Sequence, residues 1–337
     1  MTSTRRRTIF ALLLGACALA TVLAVLSAAR QDDPESGDSA AARDVLDDAQ
    51  AGGRKAVVFR SLDRDRPKAR GEVAVATVGG QPAAGGRTLT QLGCDRVYFA
   101  AGRGICLARG GGFAAGYKAK IFDEQLRIRH EVPVDGLPSR ARVSPDGRYG
   151  SVTLFVTGHA YADAGSFSTQ TTLIDLARGE RIADLEDFTV TKDGVQVTAV
   201  DRNFWGVTFA PDSDRFYATM ATGGKTYLVV GSVSRRTAHV IHENVECPSL
   251  SPDGKRIAYK KRVGSGANPW RLTVLDLSSM RETPLAETRS VDDQAEWLDE
   301  EHVLYGIGGE VYVVRADGGG QPRRFLTGAE SPAVVSG

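Results

Sequence analysis

Arg142-Val143-Ser144-Pro145-Asp146-Gly147-Arg148-Tyr149 returns later in the chain as Leu250-Ser251-Pro252-Asp253-Gly254-Lys255-Arg256-Ile257. A degenerate copy, Phe209-Ala210-Pro211-Asp212-Ser213-Asp214-Arg215-Phe216, lies between them. Each copy spells a tight turn: proline presets φ at the second position, aspartate closes the bend, and glycine leaves it without steric cost. An alternating apolar strand follows each turn, as in Val152, Leu154 and Val156 or Ile257 and Tyr259. Such alternation marks a strand with two different faces.

Working outward, a further strand follows each hairpin. Thr172-Leu173-Ile174-Asp175-Leu176 matches Thr273-Val274-Leu275-Asp276-Leu277, and Tyr227–Val230 and Val311–Val314 occupy equivalent places. A shorter strand closes each unit, as in Arg181–Leu185 and Thr237–Ile241. The unit is therefore four antiparallel strands. Its spacing, read from Ser144 to Ala210, Ser251 and Trp297, is close to the roughly 40–50 residues of a propeller blade apart from one longer unit. The excess lies around Val190–Val200 and reads as an insertion.

The expected fold is all-β, a six-bladed β-propeller of four-stranded antiparallel blades. One blade is expected to begin near Thr88, turn at Gly93-Cys94-Asp95 and continue as Arg96-Val97-Tyr98-Phe99. Others begin near Arg140, before Ala210 and at Cys247, and one turns at Glu296–Glu300 before His302–Tyr305. The tail Ser331–Gly337 resembles Cys247–Ser251, an inner strand with nothing after it. Lys55–Arg60 resembles Lys255–Lys260, a second strand with nothing before it. Joined, and completed by Glu72–Thr77, the two ends make a sixth blade and remove the exposed sheet edges.

The Ser-Pro-Asp-Gly turn with its Ile-Asp-Leu-type strand resembles the WD-like repeats of the TolB propeller, most clearly over residues 140–286. The resemblance implies a propeller outside the cytoplasm that binds other proteins. The same repeats form the gating propellers of prolyl oligopeptidase-like enzymes and stand-alone sensors. TolB carries an N-terminal α/β domain for which residues 30–54 are too short.

The N-terminus sets the compartment. Arg5-Arg6-Arg7 precedes an apolar run from Ile9 to Ala29. That pattern is a signal peptide or an uncleaved membrane anchor with its N-terminus inside. Ser27-Ala28-Ala29 offers a cleavage site, and Leu14-Gly15-Ala16-Cys17 offers a lipobox. The expected segments are 1–29 as signal or anchor, 30–54 as a disordered acidic linker, and 55–337 as propeller. The protein is then either held at the cell membrane with its ectodomain outside or secreted. The formal net charge is +1, and 42% of residues are hydrophobic. This excludes a wholly disordered chain and offers no global attraction for nucleic acid. The membrane is met through the N-terminal segment alone, and a monomer is expected.

Catalytic signals are weak. No G-x-S-x-G elbow occurs, and Gly264-Ser265-Gly266 reads as a turn. His242-Glu243-Asn244-Val245-Glu246 lacks the second histidine of a zincin. His130, His159, His239, His242 and His302 are scattered. Asp63 and Asp65, and Asp212 and Asp214, do not extend into a calcium loop. No catalytic residue, metal ligand or cofactor is expected. Cys94 and Cys106 are a candidate disulfide, allowed outside the cytoplasm; direct pairing of Gly104–Arg109 with Val97–Ala100 would argue against it. Trp270 and Trp205 are candidate partner contacts, since exposed aromatics anchor interfaces. The functional expectation is a non-catalytic scaffold or sensor at the cell envelope that binds another envelope or membrane protein. The alternative is a lactonase- or glycosidase-like hydrolase working at the channel mouth.

Overall fold

Ala42, Leu46 and Ala49 are spaced i, i+4 and i+7, which places them on one stripe of a helix. The computed structural model describes residues 37–63, 70–79, 86–111, 116–156, 168–266 and 268–335, and this stripe belongs to its first element, helix α1 (Gly37–Ala51). Ala42, Leu46 and Ala49 are buried among Val58, Leu92, Cys94 and Phe99. The acidic stretch expected to be disordered is thus largely an amphipathic helix whose aspartates hide a short apolar face. The signal or anchor reading of residues 1–29 lies outside the described residues. Among the described residues, no helix is long and apolar enough to cross a membrane.

β1 (Ala56–Ser61), β2 (Glu72–Thr77) and β3 (Thr88–Gly93) follow. One blade is β4 (Arg96–Ala100), β5 (Arg103–Arg109), β6 (Tyr117–Asp123) and β7 (Ile128–Val134), and the next is β8 (Leu137–Val143), β9 (Tyr149–Val156), β10 (Ser168–Asp175) and β11 (Glu180–Asp184). After an inserted pair, β12 (Thr189–Lys192) and β13 (Val195–Gln196), come β14 (Asn203–Phe209), β15 (Arg215–Thr222), β16 (Lys225–Ser232) and β17 (Thr237–Glu243). The last two complete blades are β18 (Glu246–Leu250), β19 (Arg256–Arg262), β20 (Trp270–Asp276) and β21 (Glu282–Pro284), then β22 (Glu296–Trp297), β23 (His302–Ile307), β24 (Glu310–Arg315) and β25 (Arg323–Leu326). Finally β26 (Ala329–Val335) pairs antiparallel with β1, Val57 opposite Val334 and Val58 opposite Ala333. The sheet β26-β1-β2-β3 is the sixth blade, built from both ends of the propeller.

One boundary differs from the sequence reading, and the insertion falls in the blade where it was expected. Thr88–Gly93 does not open a blade; it is the outer strand of the closing blade, paired with β2. Gly93-Cys94-Asp95 is then a crossing between blades, and Arg96–Ala100 is an inner strand. A crossing and a hairpin turn both call for a short polar bend, so the local pattern does not separate them. The insertion, in turn, widens the β14 blade: β12 runs parallel to β17 at the outer edge and carries β13.

The repeat turns work as their residues dictate. Ser144 donates to Asp146 Oδ1 at 2.6 Å and accepts the Tyr149 amide at 2.9 Å, while Asp146 also accepts the Arg148 amide. Ser251, Asp253 and Arg256 repeat the arrangement. Gly147 has φ +69°, and a Cβ there would stand 3.0 Å from the Ala101 carbonyl of the neighbouring blade. Only glycine meets both demands.

At the insertion, both carboxyl oxygens of Glu186 accept the Thr171 amide at 3.2 Å, just where β11 stops pairing with β10. Burial pushes this carboxyl up to about 8 from its ordinary 4.5, against the opposing pull of its backbone hydrogen bonds. The native state therefore keeps a proton that the unfolded chain releases above about pH 4.5. Its contribution is complete below that pH and is lost as pH rises through about 8. Glu186→Gln should remove this loss, leaving the variant more stable than wild type at pH 8.5 by on the order of 2 kcal/mol. Urea unfolding at pH 5 and 8.5 checks it; parallel pH dependences in the two proteins would contradict it.

Candidate functional site

Because strands alternate in direction within a blade, every inner strand begins on the same face of the ring. The connections between second and third strands share that face, here termed the entry face. The Ser-Pro-Asp-Gly turns lie on the opposite, turn face.

Inner-strand registers place Tyr98, Arg142, Thr208, Ser249, Glu296 and Ala333 at one level of the channel. Their chemistry converges on one ion pair. Arg142 and Glu296 form a hydrogen-bonded salt bridge with side chains only 6% and 8% exposed. Arg142 also donates to Ser249 Oγ at 3.2 Å and to the Ala295 carbonyl at 3.0 Å. Its guanidinium lies 4.5 Å from the centre of the Tyr98 ring, and Tyr98 donates to Glu296 Oε1 at 3.0 Å. The Val334 amide reaches the same oxygen at 3.3 Å. Burial opposes the charge of Arg142, but Tyr98 and Glu296 outweigh it and hold the guanidinium protonated. Burial raises the Tyr98 phenol far above its usual range. Gln294 adds bonds to the Val207 and Pro248 carbonyls, and Trp297 Nε1 donates to the Ser249 carbonyl at 2.8 Å. Side-chain or backbone groups from all six blades thus meet at the channel waist, which serves to tie the blades together.

One level nearer the entry face stand Arg96, Arg140, Gly206, Cys247, Gln294 and Ser331. Gly206, Cys247 and Ser331 have positive φ (64°, 50° and 52°), and the ladder slips register beside each of them. The inner strands therefore flare through bulges at the mouth. Around it, Arg60 pairs with Glu330, Arg96 approaches Glu330 at 3.5 Å, Lys260 binds Asp292 at 2.5 Å, and Arg262 lies 3.8 Å from Glu246. Burial raises the Glu246 carboxyl against the pull of Lys260 and Arg262. Asp292 is instead held low, because Lys260 overcomes its burial.

The entry face exposes more large apolar side chains than the turn face, where Ile128 and Met280 are exposed. Leu137, Phe155, Val200 and Val263, between 40% and 68% exposed, all lie at entry-face ends of strands or connections. Trp270 joins them at the start of β20, its ring flanked by Lys260 at 4.5 Å and Arg262 at 4.2 Å. Trp205 does not serve as an exposed contact: it lies within β14 and is 6% exposed, because the strand begins before Phe204 rather than after it. Trp297 is buried.

Cys94 and Cys106 are joined by a disulfide, with Cα atoms 5.4 Å apart. Val97 pairs directly with Cys106, so the direct pairing expected to separate the sulfurs coexists with the bridge. The reason is that Cys94 precedes β4, in the crossing from the closing blade. Cys247 is free and buried. His242 and Glu282 link the outer strands of adjacent blades at 3.0 Å; Glu282 also accepts from Tyr259 at 2.6 Å and from Lys261. Those three donors overcome burial and hold Glu282 down at about 2. His159 and Asp65 lie outside the described residues. Asp212 accepts the Arg215 amide of its own turn, and Asp214 accepts the Ser234 amide of the neighbouring β16–β17 connection. Among the described residues, no group of three His, Cys, Asp or Glu side chains is placed to hold a metal ion.

The sequence reading missed Tyr98, Arg142 and Glu296. A signal was present: Arg140 and Arg142 occupy the alternate positions that hold small or uncharged Gly206 and Thr208, or Cys247 and Ser249, in other blades.

No family model matches the sequence, and no curated relative matches it either. Solved structures do match. TolB from Acinetobacter baumannii superposes over 85% of this chain and 67% of its own, with 17% identity and a TM-score of 0.54. A chain of a nidogen/laminin complex matches over 83% of this chain and 98% of its own, with 9% identity and a TM-score of 0.55. The fold is a TolB-like propeller. A second, putative TolB, from Agrobacterium tumefaciens, matches over 82% of this chain and 91% of its own, at 11% identity and a TM-score of 0.49. The TolB-like propeller thus carries its most distinctive chemistry at the waist and mouth of its channel.

Proposed function

We propose that this TolB-like propeller is a non-catalytic, extracytoplasmic scaffold or sensor that engages another envelope or membrane protein through its entry face. The observation that carries the reading is the asymmetry of that face, where exposed Leu137, Phe155, Val200 and Val263 and the half-buried Trp270 surround a charged channel mouth. Large apolar side chains exposed together on one face mark a protein-contact surface. The filled waist supports a binding role over a through-channel one. The Cys94–Cys106 bridge supports an oxidising compartment, as does the basic and apolar N-terminus. The membrane is met through that N-terminal segment, and the propeller acts as a monomer.

Photo-crosslinking residues introduced one at a time test this in intact cells. At positions 155 and 263 they should yield the same partner adduct. At positions 128 and 280, where Ile128 and Met280 are exposed on the turn face, they should yield none. Equal labelling from both faces, or labelling from the turn face alone, would overturn the assignment.

A further inference from the structure

Arg140 is the exception among the cations of the channel mouth. Arg60, Arg96, Arg142, Lys260 and Arg262 each have a carboxylate within ion-pairing distance. Among the described residues, Arg140 has none. Its Nη1 donates to the Ser139 carbonyl at 2.8 Å, the group next to it in the chain, and its side chain bonds to the Cys247 sulfur. Its Nε is buried and has no acceptor, and the same is true of Nε of Arg142, two residues along the same strand. Both arginines line one small cavity of about 30 Å³ at the mouth, together with Arg96, Gln294 and Ser331. Buried donors without acceptors are costly and uncommon in folded proteins. Two such donors, in residues that line one cavity, favour an acceptor that enters from outside.

The other charges near Arg140 leave that need in place. Asp293 lines the cavity, but its Oδ2 accepts the Gly306 amide at 2.9 Å. Asp292 serves Lys260. Cys247 also faces Arg140, and a thiol is a weak acceptor. The cavity has room for one or two small polar atoms, so it admits the oxygen tip of an acceptor whose remainder lies in the open mouth. The other cations around the mouth are paired with carboxylates, so recognition is local rather than driven by a long-range field.

We infer that the channel mouth is a carboxylate-binding subsite in which Arg140 holds a single carboxylate group. It rests on the entry-face reading only for its biological source, an acidic side chain or chain terminus of the partner. The pairing chemistry stands on its own. A planar guanidinium fork suits a carboxylate, and such charge-assisted bonds are roughly twice as strong as neutral ones.

The test needs no partner. The purified ectodomain is titrated with acetate, and with acetamide as the neutral isostere, while the Arg140 Nε–H resonance is followed by NMR. Acetate should give a saturable shift that acetamide does not, and Arg140→Gln should weaken acetate binding about tenfold or more. Arg140→Lys, which keeps the charge, should retain part of the affinity and guards against a folding defect in the glutamine variant. Acetyl-trialanine as free acid or amide, and an amidated acetyl-Ala-Glu-Ala, then separate a chain terminus from an acidic side chain. No saturable response in wild type, an equal response to acetamide, or acetate binding unchanged in Arg140→Gln would overturn the subsite. Crosslinking that fails on the entry face while acetate still binds would overturn the partner reading alone.

Discussion

Glu296→Ala is expected to destabilise the propeller by about 3–5 kcal/mol, the cost of breaking a buried ion pair by removing one partner. Three losses act together at this carboxylate. Arg142 keeps its charge in a site that is 5% exposed. Tyr98 loses the acceptor of its hydroxyl, and the Val334 amide loses its side-chain acceptor. Those groups belong to three different blades, so the change should lower the stability of the whole ring rather than loosen one sheet. The pair's net contribution is a separate quantity, because burying both charges carries its own desolvation cost. Arg142→Met combined with Glu296→Leu removes both charges and keeps the volume, and should recover at least half of the loss. Urea unfolding measures both effects, with the midpoint moving and the slope unchanged. A single variant that costs less than 1 kcal/mol, or a double variant as unstable as the single one, would show that the waist is not organised around this pair.

The second large effect is expected at the seam of the ring. Truncation after Gly328 removes β26, which pairs along all of β1 and buries Ala329, Ala333 and Val335. It leaves β1, apolar on both faces, as a bare edge inside the channel, and exposes the Leu304 side of the neighbouring blade. Val57, Phe59 and Ala74 share one core cluster with Leu304, Val311 and Ala329, so the loss spreads across two blades. For a domain of this size each kcal/mol shifts the midpoint by roughly 2–4 °C, and the loss of a seven-residue inner strand should lower it by about 10 °C or more. Calorimetry should show a broadened transition at reduced temperature. A peptide of residues 329–337 added in excess should restore part of the shift by mass action. An unchanged transition in the truncated protein would mean that the ring does not depend on this closure.

How much was legible follows from how local each signal is. The turn at Ser144-Pro145-Asp146-Gly147 is decided within a few residues, by the fixed φ of proline, the hydroxyl and carboxylate bonds to nearby amides, and the positive φ of glycine. The blade period and the pairing of Val57 with Val334 follow from matching strand patterns, so the ring and its seam could be read before any coordinates. Helix α1 was harder, because Asp44, Asp47 and Asp48 dominate its composition while its stripe is only Ala42, Leu46 and Ala49.

What the chain alone determined is therefore the repeat, the number of blades and the way the two ends meet. Only the tertiary structure decided that Tyr98, Arg142, Ser249, Glu296 and Val334 converge, that Trp205 is enclosed, and that Arg140 has no carboxylate in ion-pairing distance among the described residues. Each of these depends on residues from separate blades, brought to one axis by ring closure, and no local rule of turn or strand records which side chains will face one another there.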